Sequence, residues 1–240
     1  MALNAWKDYC VLDFETSGKN PNGCQLTQIA AIVLHGKKLT PKPGGVFNIE
    51  VRPEFDDEKA IASGFDPVEQ EALDKTRKTR EGLEKAVSPK IAWKKFSDFV
   101  NKFNTKGSSY YAPIPVGFNI NNFDLPILQR YCKLYGPCEE KTGRQKLVHQ
   151  IHKVDVMDML FHWFEDEESV KKTNMDYLRE YFGFPEKSKE NAHNALYDVI
   201  DTANLFVEFM KYHRRHASVT KFEKSFASRN LTVKYEDIGC

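Results

Sequence analysis

The sequence predicts an α/β fold, a mixed sheet of three antiparallel strands followed by parallel strands and flanked by helices. Two observations carry that expectation. Three β-favouring runs come first, at Tyr9–Phe14, Leu26–Leu34 and Gly45–Val51, too closely spaced to hold crossover helices between them. Beyond them, segments with helical spacing of apolar residues alternate with a further strand-like run, as in a sheet covered by helices.

Each element has a local reason. Tyr9–Phe14 is a short apolar run closed by the turn signal Thr16-Ser17-Gly18. Leu26–Leu34 (LTQIAAIVL) has the near-continuous apolar character of a buried strand. Residues 36–45, rich in Lys, Pro and Gly, are expected to loop before the alternating run Gly45–Val51. Arg52–Ser88 is polar, with weak helical periodicity at Pro67–Leu73, and is expected to be a surface excursion. Ile91, Phe96, Phe99, Val100 and Phe103 recur at helical spacing and predict a helix over Lys90–Phe103. Ala112–Phe118 reads as a strand, which Pro113 and Pro115 would put near an edge or make irregular at its start. Phe123–Tyr135 reads as a helix stopped by Gly136-Pro137, and helices are expected at Val154–Phe164, Met175–Phe182 and Asn191–His213. One domain is expected over residues 1–212, with 213–240 a tail or docking arm.

Composition narrows the functional classes. With 35 Lys and Arg against 34 Asp and Glu in 240 residues, no global basic field points to passive coating of nucleic acid. The 5 cysteines are scattered without Cys-x-x-Cys spacing, so neither a disulfide framework nor a structural zinc site is indicated. No run approaches the roughly 18 apolar residues a bilayer span needs, and the N-terminus lacks the apolar run of a secretory signal. A reducing, cytoplasm-like compartment with no membrane partner is the expectation.

The chemistry-bearing candidates are Asp13, Glu15, Asp124, His193 and Asp198. Asp13 and Glu15 lie two apart on a predicted strand, so both carboxylates emerge on one face while Leu12 and Phe14 take the other. A half-exposed strand would show the same alternation. Asp124, before Leu125-Pro126, reads either as a helix N-cap or as a further acid of a cluster. Asn119 and Phe123 are ambiguous in the same way, between turn or core residues and substrate contacts.

The last helix gives a sharper contrast. At about 100° per residue, Leu196, Ile200, Ala203, Val207 and Met210 make an apolar stripe, and Tyr197, Asp201, Asn204, Glu208 and Lys211 a polar face. Asp198 instead projects beside Ala195, Thr202, Leu205 and Phe209, and Asp201 is expected to be the solvated acid. A carboxylate among apolar neighbours needs a partner or a metal to stay charged. Four clustered carboxylates need cation charge, and oxygen donors suit magnesium or manganese. His193, at or before the helix start, has the ordinary imidazole pKa near 6.5 that suits a general base.

Together these residues spell a pattern. Asp13-x-Glu15-Thr16, Asn119 through Phe123-Asp124, and His193-x-Ala195-x-x-Asp198 resemble the DEDDh subgroup of the DnaQ-like 3'→5' exonucleases over about residues 8–212. Asp13-Phe-Glu-Thr-Ser-Gly-x-x-Pro21, Gln28-Ile-Ala-Ala-Ile and Gly117-Phe-Asn-Ile-Asn-Asn-Phe-Asp124 look most like the exonuclease I branch. The resemblance implies a ribonuclease H-like fold and two Mg2+ (or Mn2+) ions held by Asp13, Glu15, Asp124 and Asp198. It implies that His193 deprotonates the attacking water and that nucleoside 5'-monophosphates leave from 3' ends. It further implies that Thr16, Asn119 and Phe123 line the terminal-nucleotide pocket. Phe118 departs from the His or polar group that many relatives carry there. The extra domains of exonuclease I do not fit in this length, so extended strand binding is not expected.

The leading expectation is therefore a 3'→5' exonuclease on single-stranded DNA. An RNA 3'-end trimmer carries the same motifs, since they do not report tolerance of a 2'-hydroxyl. A proofreading or accessory binding module is the non-enzymatic alternative; all five positions are intact against it. Protein partners are not legible in the sequence.

Overall fold

The computed structural model describes residues 7–225 and 227. Strands β1 (Tyr9–Thr16), β2 (Leu26–Leu34) and β3 (Pro41–Glu50) form the expected antiparallel meander. Helices α1 (Asp57–Ala62), α2 (Gln70–Lys75), α3 (Arg80–Glu84) and α4 (Pro89–Asn101) follow. Strand β4 (Ile114–Gly117) then pairs in parallel with β1. Helix α5 (Asp124–Tyr135), strand β5 (Val154–Asp155) and helices α6 (Val156–Phe164), α7 (Met175–Tyr181) and α8 (Glu186–Glu190) lead to the long α9 (Ala195–Val219), and α10 (Phe222–Ser225) ends the described elements. The sheet order is β3-β2-β1-β4-β5.

The chain divides into two compact units at Phe206/Val207, within α9. The tail or arm expected over 213–240 lies outside the described residues at 226 and 228–240, as do residues 1–6 of the N-terminal segment. Among the described residues no helix is long and apolar enough to cross a membrane.

One face of the sheet carries the main core. Leu12 and Phe14 of β1, with Ile29 and Val33 of β2, are buried in one cluster with Trp93, Phe96, Phe99 and Val100 of α4 and Ile127, Leu128 and Tyr131 of α5. Phe14 meets Trp93 and Phe96 edge-on, at centroid distances of 6.4 and 5.9 Å. On the opposite face Tyr9 packs edge-to-face on Phe206 at 4.8 Å. The alternation along β1 thus turns Asp13 and Glu15 away from the aromatic core. That is what positions the site.

Several expectations are corrected. The loop expected at 36–45 is shorter, because β3 begins at Pro41 and tolerates Pro41 and Pro43 as an edge strand. Strand β4 pairs with β1 at Ile114–Val116, but β5 flanks it only at Val116 and Gly117, so Pro115 lies on the edge-like start of the strand, where its missing N–H costs the sheet nothing. The strand ends at Gly117, where a Cβ would stand 2.8 Å from the Cβ of Ile120, so the chain can turn there only without a side chain. The first two residues of the expected helix Val154–Phe164 are strand β5, and Asp155 caps α6 by accepting from Met157 N–H at 3.1 Å. The stretch 52–88 is more than a surface excursion: it carries three short helices, and Ala60, Leu73 and Leu83 are buried.

Candidate active site

The candidate site forms where the C-terminal end of β1 meets the first turns of α5 and α9. Carboxylate oxygens of Asp13, Glu15 and Asp198 come within 4.8 Å of one another. Asp124, at the start of α5, is not in that trio but is buried beside it, and its Oδ1 accepts from Phe14 N–H at 3.0 Å. That bond ties α5 to β1 one residue from each of the strand's two acids.

The electrostatics follow from burial and crowding. Asp13 is pushed well above the ordinary carboxylate range by burial, and further by the charges of Asp124, Asp198 and Glu15. Glu15 rises to about 8, through burial and then Asp198, against the opposing pull of Lys78. Burial also lifts Asp124 to about 8, although bonds from backbone N–H groups oppose it. Asp198 rises less, to about 6: burial lifts it and Arg179 holds it down. Four carboxyls that all resist ionisation together form a strongly cation-seeking donor set of hard oxygens, which fits magnesium or manganese.

His193 precedes α9 with a left-handed backbone, φ 64°, uncommon for a residue with a β-carbon. Its ring is half-buried, and burial lowers its pKa below the ordinary imidazole value, with Lys75 adding to the effect. A cavity of ≈ 220 Å³ is lined by Glu15, Thr16, Phe123, His193, Lys75 and Thr76, among others. A second cavity, ≈ 360 Å³, shares Thr76 and His193 with it and is lined also by Arg77 and Lys78.

The structure thus brings Asp13, Glu15 and Asp198 together, buries Asp124 against them, and sets Thr16, Phe123 and His193 around the adjoining cavity. Asn119 is placed differently. Its backbone is left-handed, its N–H donates to Asp155 Oδ1 at 2.9 Å, and its side-chain oxygen accepts from Asn122 at 2.8 Å. It is outside the lining of both cavities.

The helical wheel of α9 needs a correction. Asp201 is buried, not solvated: its Oδ2 accepts from Arg179 Nε at 2.7 Å and from Ser188 Oγ at 2.6 Å. Ile200, placed in the apolar stripe, is 38% exposed, while Ala195, Val199, Thr202 and Phe206 are buried. Arg179, Asp176 and Lys75 escaped the sequence reading. Nothing local distinguishes Arg179, which stands three residues after Asp176 like any helical ion pair.

Comparison with known proteins bears on the family and the fold. A family model described as RNase_T, Exonuclease, matches residues 10–206. No curated protein sequence matches the chain significantly. Among solved structures, cell-death related nuclease 4 superposes with a TM-score of 0.62 at 15% identity, covering 86% of this chain and 64% of that one. E. coli exonuclease I in complex with a dT13 oligonucleotide gives 0.63 at 16% identity, covering 88% of this chain and 43% of that one. A 3'-exonuclease described with 3'-end recognition of a histone mRNA stem-loop gives 0.59 at 16% identity, covering 86% and 83%. The chain therefore spans less than half the length of exonuclease I and about two thirds of cell-death related nuclease 4. At these identities the likeness is one of fold, the ribonuclease H-like mixed sheet.

Proposed function

The chain belongs to the RNase_T exonuclease family, and from that premise we propose that it is a 3'→5' exonuclease on single-stranded DNA. It releases nucleoside 5'-monophosphates with the help of two Mg2+ or Mn2+ ions. The observation that carries this reading is the convergence of Asp13, Glu15 and Asp198 oxygens within 4.8 Å, from a strand and a helix remote in sequence. Asp13, Glu15, Asp124 and Asp198 would hold the metal. When bound, such ions neutralise phosphoryl oxygens and make water acidic enough to attack.

The protein's own residues do the rest. Thr16 and Phe123 bound the cavity in which the 3'-terminal nucleotide sits, and Phe123 offers an aromatic face to its base. Lys75 of the same cavity faces the negative charge of the phosphodiester. His193 takes the proton from the attacking water on its imidazole. Its lowered pKa keeps the ring neutral and receptive at pH 7. Asn119 acts at one remove, holding the loop before Asp124. Residues 1–212 are proposed as the catalytic domain.

A 5'-labelled ladder assay tests the reading, with matched DNA and RNA oligonucleotides, single- and double-stranded, in Mg2+ and in EDTA. Stepwise shortening from the 3' end of single-stranded DNA, abolished by EDTA, is expected. An RNA preference would favour the 3'-end trimmer, a role suggested by the stem-loop-recognising 3'-exonuclease that shares the fold. Strand retention in every lane would leave only the binding-module reading.

A further inference from the structure

Arg179 of α7 sits at a junction that the family motifs do not include. Its side chain is 2% exposed, and all three of its guanidinium nitrogens bond carboxylates. Nη2 donates to Asp198 Oδ1, Nε donates to Asp201 Oδ2 at 2.7 Å, and Nη1 donates to Asp176 Oδ1 at 3.0 Å. The other oxygen of Asp176 faces His193 Nε2 at 3.9 Å. Ser188 Oγ closes the far side, donating to the same Asp201 oxygen at 2.6 Å.

A pin between α7 and α9 would need only the Arg179–Asp201 pair. The two further arms reach one carboxylate of the acidic trio and one carboxylate that faces the base. A planar guanidinium fixes the direction of each bond it makes, so Asp198 and Asp176 are both aimed by one rigid fork. Arg179 also places a permanent positive charge against the acids while leaving most of their charge uncompensated.

We propose that Arg179 is a positioning residue that links the two halves of the catalytic centre, orienting Asp198 for metal on one side and, through Asp176, His193 on the other. The proposal rests on the metal-dependent nuclease reading above. Partners one shell out from a metal commonly contribute about 10–100-fold in metal affinity or activity, and this arginine serves both functions through one group.

The test uses Arg179→Lys, which keeps the charge and loses the fork, and Asp176→Asn, at an exposed side chain whose change leaves the core intact. Mn2+ binding is measured by calorimetry on the metal-free full chain. Single-strand hydrolysis is split into kcat and KM, and melting curves in EDTA give the folded fraction. In Arg179→Lys, Mn2+ affinity and kcat are expected to fall by about 10-fold or more, with KM for the oligonucleotide unchanged. In Asp176→Asn, kcat is expected to fall while Mn2+ affinity stays at the wild-type value. Wild-type Mn2+ affinity and kcat in Arg179→Lys would overturn the proposal, as would a loss that merely follows the unfolded fraction. A wild-type protein that neither binds Mn2+ nor shortens DNA would instead overturn the nuclease reading itself.

Discussion

Replacing Glu15 by Gln should stabilise the metal-free protein while destroying its activity. Glu15 rises from 4.5 to about 8, so between those pH values the folded state holds its proton while the unfolded chain releases it. Wherever the folded state binds more protons, stability falls as pH rises. The opposition is absent well below 4.5, grows through neutrality, and is complete above about 8. At pH 7 the gap from 4.5 corresponds, at 1.36 kcal/mol per pH unit, to about 3 kcal/mol, and at pH 5 to less than about 1 kcal/mol. Gln has the same shape and no charge, so it recovers that amount. For a chain of 240 residues, about 2–4 °C per kcal/mol gives a rise in melting temperature of roughly 6–12 °C at pH 7. The assay is thermal unfolding in EDTA at pH 5, 6, 7 and 8, wild type against Glu15→Gln. In saturating Mg2+ the gap should narrow, because the wild type, with all four carboxylates, gains more binding energy than the variant. An unchanged or lower melting temperature in EDTA at pH 7, or a gain that does not grow with pH, would refute the idea of a crowded, cation-seeking cluster.

Asp13→Ala or Asp198→Ala should abolish release of mononucleotides with the fold retained; activity within a fewfold of wild type in a ladder assay would remove these residues from the site. His193→Ala should lower kcat by about 10²–10⁴-fold with Mn2+ affinity unchanged by calorimetry, and loss of metal binding would make His193 a ligand instead. In the wild type, with Mg2+ saturating at every pH so that the carboxylates stay ionised, the acid limb of kcat/KM should lie below 6.5, since burial and Lys75 lower the imidazole's pKa; a limb above that value that is independent of Mg2+ concentration would contradict its role as the neutral base. Trp93→Ala should cost about 3–5 kcal/mol in urea unfolding, because the fully buried indole packs against Phe14, Phe96 and Tyr131 and donates to Gly136 O at 2.7 Å.

Of the five acids and bases of the motifs, Asp13, Glu15 and Asp198 stand in local patterns, whereas Asp124 and His193 were singled out only through the family resemblance. Asp13 and Glu15 share a face by strand alternation, and Asp198 stands off the polar face by helical periodicity. Such patterns fix directions relative to one element's own axis. Asp201 was misread for the same reason: three residues from Asp198 it looks solvated on a wheel, and it is buried only because Arg179 and Ser188 come from α7 and α8 to meet it. The placement of the stretch 52–88 was hidden similarly, since Lys75 and Thr76 line a cavity with Glu15 and His193 only once the chain has folded.

The sequence by itself therefore determined the α/β class, the meander and the core helices, consequences of short-range periodicity and residue chemistry, and through its motif resemblance it singled out the carboxylates that cluster. Tertiary structure alone decided that the two-residue strand β5 closes the sheet beside the end of β4, that Arg179 joins Asp198 to Asp176, and that Asn119 shapes its loop outside the cavity. Burial and ion pairing depend on what packs against a side chain, and those neighbours come from distant parts of the chain. No local pattern encodes them.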